Sequence, residues 1–143
     1  MTTPLQEGTV NPEDFSAERD HLTVERSASG LVLVTLDYPE RRNAMSGEMT
    51  SAWGRLAAAI KMDPTVRAVV VTGAGTAFTS GGDTGWIGGD PDATVDELRT
   101  KMMAFYRTWL SMRDVPVPVI AAMNGAAVGA GAVIGDGASI GDD

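Results

Sequence analysis

The segment "AFTSGGD", residues 77–83, comes just after the apolar run "AVVVTG" at 68–73, with "AGT" between them. Three small residues, Ser80, Gly81 and Gly82, stand immediately before Asp83. Small residues let a backbone approach another group closely or take positive φ. Such a stretch is either an ordinary strand-to-helix turn or a loop built to lie against a ligand. The rest of the chain decides between the two.

Upstream, "HLTVERS" alternates with Leu22 and Val24 on one face, and "LVLVTLD" (31–37) follows the turn "ASG". The pair reads as a hairpin of half-buried strands within 22–37. "YPERRNA" is then a loop with Pro39 and two adjacent arginines. Ser46 is placed to cap a helix over 46–61, where Met49, Trp53, Leu56, Ala57 and Ile60 fall on one face. The unbroken β-branched run in 66–73 predicts a strand covered on both faces. Thr94 and Glu97 form a T-x-x-E capping box for a helix over 95–112. Its stripe of Val95, Leu98, Met102, Phe105, Tyr106, Trp109 and Met112 reads as core or subunit interface. "VPVPVIAAM" predicts a strand over 117–123, its prolines confined to the beginning. Strand, helix, strand, glycine loop, helix, strand is the order of an α/β domain with parallel pairing.

Composition removes several function classes. Eleven basic against nineteen acidic residues leave a net charge of −8. That balance argues against nucleic acid and against anionic membrane surfaces, both of which need a basic face. Without cysteine there are no disulfides and no thiolate or zinc–sulfur sites. His21, the single histidine, reads as a surface residue, so histidine-cluster metal sites and a Ser-His-Asp triad lack their members. No metal site is expected. No apolar stretch approaches the ~20 residues that span a bilayer. The start, "MTTPLQEGTVNPEDFSAERD", has neither a basic n-region nor an apolar h-region, and suggests a cytoplasmic protein. The expected organisation is a flexible tail at 1–18, an α/β core at 19–132 and a Gly/Asp-rich tail at 133–143.

Two glycine-rich segments each follow a strand: "FTSGGD", and "NGAAVGAG" after "PVIAAM". In parallel α/β sheets the carboxyl ends of the strands converge on the ligand edge. Two small-residue turns there can aim two backbone N–H groups at one point, which is the construction of an oxyanion hole. A helix starting at the second loop would add its positive dipole end.

Taken in order and spacing, "PERRNAMSGEM", "GAGTAFTSGGD" and "PVIAAMNGAAVGAGA" resemble the crotonase superfamily of enoyl-CoA hydratases and isomerases. That pattern runs R-N-A-[LM]-S, A-F-x-[AS]-G-x-D, then P-V-I-A-A-[VM]-N-G-x-[AC]-x-G-[GA]-G, and the resemblance extends over about residues 20–132. It implies a ββα spiral core, incomplete here at the carboxyl-terminal end. It also implies an acyl-CoA thioester as substrate, with coenzyme A part of that substrate and no separate cofactor. Gly82 and Ala130 would supply the two oxyanion N–H groups. Arg41, Arg42, Asn43 and Ala44 would lie along the nucleotide, and Ser80, Gly81, Asp83, Thr84 and Gly85 along the pantetheine and thioester. A homo-oligomer, a trimer or a dimer of trimers, is the family habit.

The departures count as well. The position of the hydratase glutamate is Val133, which has no proton to transfer. The second family glutamate falls beyond Asp143, and "VIGDGASIGDD" replaces an expected apolar helix, so the sequence reads as a truncated or divergent member. Two readings stand: thioester enolate chemistry, or a non-catalytic CoA-ester binding or assembly protein. A dinucleotide site at "GAGAVIG" (129–135) is the weaker rival, because no acidic residue follows about 20 positions later. No G-x-S-x-G nucleophile elbow is present.

Overall fold

A computed structural model describes residues 21–132 of the chain. The two expected tails, 1–18 and 133–143, lie outside the described residues, as does Val133.

The first two strands, β1 (Leu22–Arg26) and β2 (Leu31–Leu36), form the expected antiparallel hairpin. A 3-10 turn at Pro39–Arg41 leads to α1 (Gly47–Lys61), whose amino end is capped as the sequence predicts. The Ser46 hydroxyl accepts from the Met49 N–H at 3.1 Å, which satisfies one of the helix's orphan donors. Next come β3 (Ala68–Gly73), the short β4 (Ala77–Thr79) and one turn of helix, α2 (Thr84–Ile87). The long helix α3 (Val95–Leu110) carries both halves of the Thr94–Glu97 capping box and runs into a 3-10 turn at Ser111–Asp114. Two strands close the described chain, β5 (Val119–Ala121) and β6 (Ala126–Ala127).

The main sheet has the order β1-β2-β3-β5, with β2, β3 and β5 parallel. Parallel neighbours need long crossovers. Here α1 supplies the crossover from β2 to β3, and α3 lies within the one from β3 to β5. A second, parallel pair joins β4 to β6. The motif prediction contained neither of these strands nor α2, since a pair of two- and three-residue strands carries no periodicity of its own.

Sheet residues Val32, Val34, Leu36, Val69 and Val71 share one buried cluster with Met49, Trp53, Leu56 and Ile60 of α1. Phe105, Trp109 and Met112 join it from the other helix and its end. Helix meets helix through two indole donors. The Trp53 Nε1–H donates to the Trp109 carbonyl, and the Trp109 Nε1–H donates to the Thr50 hydroxyl, each at 3.0 Å. Buried tryptophans thus keep their polar atoms satisfied.

Three expectations need correction. The sheet is not covered on both faces among the described residues: Val69 and Val71 are buried, whereas Leu31 and Ile120 on the reverse face stay 38% and 37% exposed. Both long helices contribute to the cluster on the first face, which leaves the second half-open. Likewise only the carboxyl-terminal half of the α3 stripe enters the core; Val95 at its start is 81% exposed. His21, expected at the surface, is half-buried. Its ring stacks on Tyr38 with centroids 3.8 Å apart, and its Nδ1 lies 3.1 Å from the Ser46 hydroxyl.

The end of β1 is tied to the α1–β3 connection by an ion pair. Arg26 Nη1 reaches Asp63 Oδ2 at 2.7 Å, with both side chains more than nine-tenths buried. Asp63 also accepts from the Thr65 N–H and hydroxyl, at 2.9 and 2.6 Å. Burial pushes the Asp63 carboxyl up, but the hydrogen bonds from Arg26 and Thr65 and the Arg26 charge outweigh it and hold it below 3.8. A carboxylate depressed in the folded state stabilises the fold above its ordinary value, and that contribution is lost as pH falls through the folded-state value. Asp63→Ala leaves Arg26 buried without its counter-charge and is expected to cost on the order of 3 kcal/mol in denaturant unfolding at pH 7. The penalty should shrink as the pH of the measurement is taken below 3.8.

Candidate oxyanion and acyl-CoA site

Beyond the carboxyl end of β3 the chain makes a corner, residues 73–77, before entering β4, and two asparagines hold it. Asn43 is fully buried. Its Oδ1 accepts from the Tyr38 N–H at 2.8 Å, and its Nδ2 faces the carbonyls of Ala74, Ala77 and Phe78 at 2.9, 3.0 and 3.2 Å. Asn124 clamps the same corner from the other side. Its Oδ1 accepts from the Gly73 N–H at 3.0 Å, while its Nδ2 donates to the carbonyls of Gly75 and Ala77 at 3.0 and 3.1 Å. A Cβ at Gly73 or at Gly125 would collide with the backbone of this corner.

The arginine loop and the small-residue loop run side by side. Ser80 N–H donates to the Arg42 carbonyl at 2.9 Å, and the Ser80 hydroxyl to the Arg41 carbonyl at 3.1 Å. Buried Thr79 donates to the Asn43 carbonyl at 2.7 Å and accepts from the Gly81 N–H at 3.1 Å. Met45 then pairs across Gly82: its N–H donates to the Gly81 carbonyl at 2.8 Å, and its carbonyl accepts from the Asp83 N–H at 3.2 Å. In a parallel bridge of this kind the middle residue turns its own N–H and carbonyl the other way. Accordingly, the Gly82 N–H has no acceptor among the described residues.

The second glycine loop meets the first here. Val128 N–H donates to the Thr79 carbonyl at 3.1 Å, which extends the pairing of β4 with β6. Gly81 has φ +95°, and a Cβ built on it would lie 2.7 Å from the Val128 carbonyl oxygen and 3.7 Å from the Ala130 nitrogen. A side chain at Gly131 would run into that of Thr79. Ala130 begins a helical turn and is nearly buried. Its N–H is one of the orphan donors of a helix start, and no acceptor meets it among the described residues. The geometry therefore brings Gly81 and the Ala130 nitrogen together, with the free N–H of Gly82 one residue on.

Apolar side chains stand beside Gly82. A Cβ there would lie 2.5 Å from Ile87 Cδ1 and 3.7 Å from Phe105 Cζ. Trp86 packs on Phe105 at 5.6 Å between centroids, and Lys101 caps the indole at 4.4 Å while donating to the Trp86 carbonyl. Asp83 caps α2 by accepting from the Gly85 N–H at 3.0 Å, with Arg41 Nη2 at 3.5 Å from the same oxygen. Thr84 and Gly85 form the exposed first turn of that helix.

The remaining sequence-derived residues divide. Arg42 is exposed, in the left-handed region at φ 52°, and has no ion-pair partner among the described residues. Arg41 is half-exposed and near Asp83. Ala44 is buried, and the Asn43 amide is fully engaged in the fold, so neither offers a side chain to a ligand. Thr79, Asn124 and Gly131, which motif spacing did not single out, are the residues that hold the two loops together. Their signal was the small or amide residue type inside the two glycine motifs.

These features, two small-residue loops apposed at a sheet edge with two backbone N–H groups unpaired among the described residues, define the class as an α/β protein with parallel pairing. The family profile for enoyl-CoA hydratase/isomerase matches residues 26–140, and the chain belongs to that family. The probable enoyl-CoA hydratase EchA14 of Mycobacterium tuberculosis is 42% identical over 106 residues, covering 70% of this chain and 38% of the relative. The 1,2-epoxyphenylacetyl-CoA isomerase of Escherichia coli K12 is 34% identical over 102 residues, 71% of this chain and 39% of that protein. Among solved structures, a probable enoyl-CoA hydratase/isomerase from Mycobacterium abscessus superposes with TM-score 0.71 at 37% identity, over 83% of this chain and 45% of that one. One from Streptomyces coelicolor, a putative enoyl-CoA hydratase, gives 0.73 at 32% identity over 96% of this chain and 49% of that one. The fold is the crotonase-like α/β fold, and the chain spans well under half the length of the curated relatives it matches.

Asn43→Ala removes the partner of one N–H and three carbonyls at a buried corner. It is expected to destabilise by about 3 kcal/mol in urea unfolding, the cost of leaving buried polar groups unpaired.

Proposed function

We propose that the chain binds an acyl-CoA thioester with the thioester oxygen on the N–H groups of Gly82 and Ala130, and stabilises the enolate formed when an α-proton passes to a base from solvent or buffer. The observation that carries this is the pair of unpaired N–H groups on apposed loops, at the two positions the family motifs assign. Fixed donors aimed at developing negative charge act without reorganisation, and each is worth on the order of 10²–10³ in rate. Two further features support the reading. Gly81 and Gly82 leave the backbone bare, so a thioester can lie against it. Ile87, Phe105 and Trp86 offer an apolar wall beside Gly82 to an acyl chain.

The substrate's nucleotide end falls to Arg41 and Arg42, whose charges offset an acidic chain near the phosphates. Asn43 and Ala44 serve that contact through the backbone shape of the loop. Ser80, Asp83, Thr84 and Gly85 border the path of the pantetheine. The compartment is the cytoplasm, no membrane or nucleic acid takes part, and the assembly is a homo-oligomer of the trimeric kind.

The engagement of Asp83 in capping α2, together with valine at position 133, favours a second reading, CoA-ester binding without turnover. Hydration of a double bond is accordingly expected to be weak or absent. Proton exchange α to the thioester carbonyl, followed by deuterium incorporation into short and long acyl-CoAs, separates the two. Turnover above the uncatalysed rate that falls by about 10²–10³ in Ala130→Pro, which deletes one donor, supports enolate stabilisation. Saturable binding with no exchange assigns the chain to the binding role. In either case Arg42→Ala is expected to weaken CoA binding by about tenfold in a calorimetric titration, the loss of one charge-assisted contact. Unchanged affinity in both Arg41→Ala and Arg42→Ala would remove the nucleotide assignment.

A further inference from the structure

A pocket lies at the other end of the main sheet. It is lined by Arg26, Ser27, Ala28, Ser29, Gly30, Thr65 and Arg67 and has a volume of about 200 Å³. The β1–β2 turn and the start of β3 form it, whereas the Gly82–Ala130 site follows the far end of β3. Six-residue strands separate the two ends by about 17 Å at 3.3 Å per residue. A group bound here would not touch the proposed thioester site.

The lining is unusual in an acidic chain, since two guanidinium groups and three hydroxyls converge on it. Arg26 is held in place rather than free. Its Nη1 donates to Asp63 and its Nη2 to the Thr65 hydroxyl, and its side chain is 8% exposed. That leaves its Nε–H, buried and without an acceptor among the described residues. A buried, charged donor left unpaired is costly and uncommon. Arg67 is exposed and has no ion-pair partner among the described residues. Gly30, at φ +93°, is what lets its stem lie close: a Cβ there would sit 2.8 Å from Arg67 Cγ. Ser27 and Ser29 share one hydrogen bond between their hydroxyls at 2.8 Å, and the Ser27 oxygen also accepts from the Leu31 N–H. With Asp63 neutralising Arg26, the lining keeps the net positive charge of Arg67.

We propose that this pocket is a binding site for a phosphate group, recognised by the Arg67 guanidinium and the hydroxyls of Ser27 and Ser29, with the fixed Arg26 forming its wall. A tetrahedral oxyanion presents oxygens in several directions and can use donors that converge from the β1–β2 turn and from the residue that precedes β3. Arginine meets such groups through paired N–H donors. The bound phosphate would be held far from the reacting thioester, as a separate ligand.

The full 143-residue chain is titrated with inorganic phosphate at constant ionic strength, chloride making up the difference, while its backbone amides are followed by NMR. Saturable shifts are expected at Ala28, Ser29, Gly30, Thr65 and Arg67. In Arg67→Gln, an exposed substitution, the midpoint should rise by about tenfold. Ser29→Ala should raise it by a smaller factor. A parallel titration with AMP identifies the source. Tighter binding of AMP, still dependent on Arg67, assigns the site to a phosphate monoester, and weaker binding assigns it to the free ion. Shifts that grow linearly without saturating, that map elsewhere, or that are the same in Arg67→Gln overturn the proposal.

Discussion

The site depends on one buried side-chain amide, that of Asn43. A parallel strand that ends at the ligand edge must turn there, and the turn exposes carbonyls that no strand partner can satisfy. Asn43 supplies the missing donors to Ala74, Ala77 and Phe78, and accepts from Tyr38 on its own loop. Its own backbone is left-handed at φ 58°, a conformation asparagine tolerates better than most residues. One residue thereby fastens the arginine loop to the corner after β3. Asn124 repeats the arrangement from the connection between β5 and β6. With both ends of the corner fixed, β4 has only one place to run, and the small-residue loop emerges beside Met45.

Fine positioning at that point is done by the absence of side chains. Gly81 approaches the Val128 carbonyl so closely that any Cβ would push the second loop away. Gly131 makes room for the Thr79 methyl, and Thr79 in turn binds the Asn43 carbonyl and the Gly81 N–H. The unpaired N–H of Gly82 follows from this pairing, since Met45 occupies the groups on either side of it. A pair of free donors is thus the outcome of hydrogen bonds made by their neighbours. Such preorganisation is what a backbone oxyanion site requires.

The two long helices supply the rigid floor. Crossed indole hydrogen bonds between Trp53, Trp109 and Thr50 fix α1 against α3. Phe105, one turn before Trp109 on α3, then reaches Gly82. Core packing and the apolar wall of the site are therefore continuous. The opposite sheet face, carrying Leu31 and Ile120, is left half-open because both helices join the cluster on the other side.

Sequence alone determined the long elements, because periodicity and caps are local. The Thr94–Glu97 box, the Ser46 cap and the apolar spacings of α1 and the main strands depend on residues within a few positions of one another. Three ordered motifs were enough to place the chain in its family. Beyond reach were β4, β6 and α2, which are too short to show a period, and the depth at which the α3 stripe leaves the core. Residue roles within the motifs were equally hidden. Asn43 read as a nucleotide contact and Thr79 did not register at all, yet both are buried fasteners. Only the tertiary structure could decide this, because the carbonyls to which both side chains donate lie more than thirty positions away, and a buried amide is assigned by the carbonyls it meets.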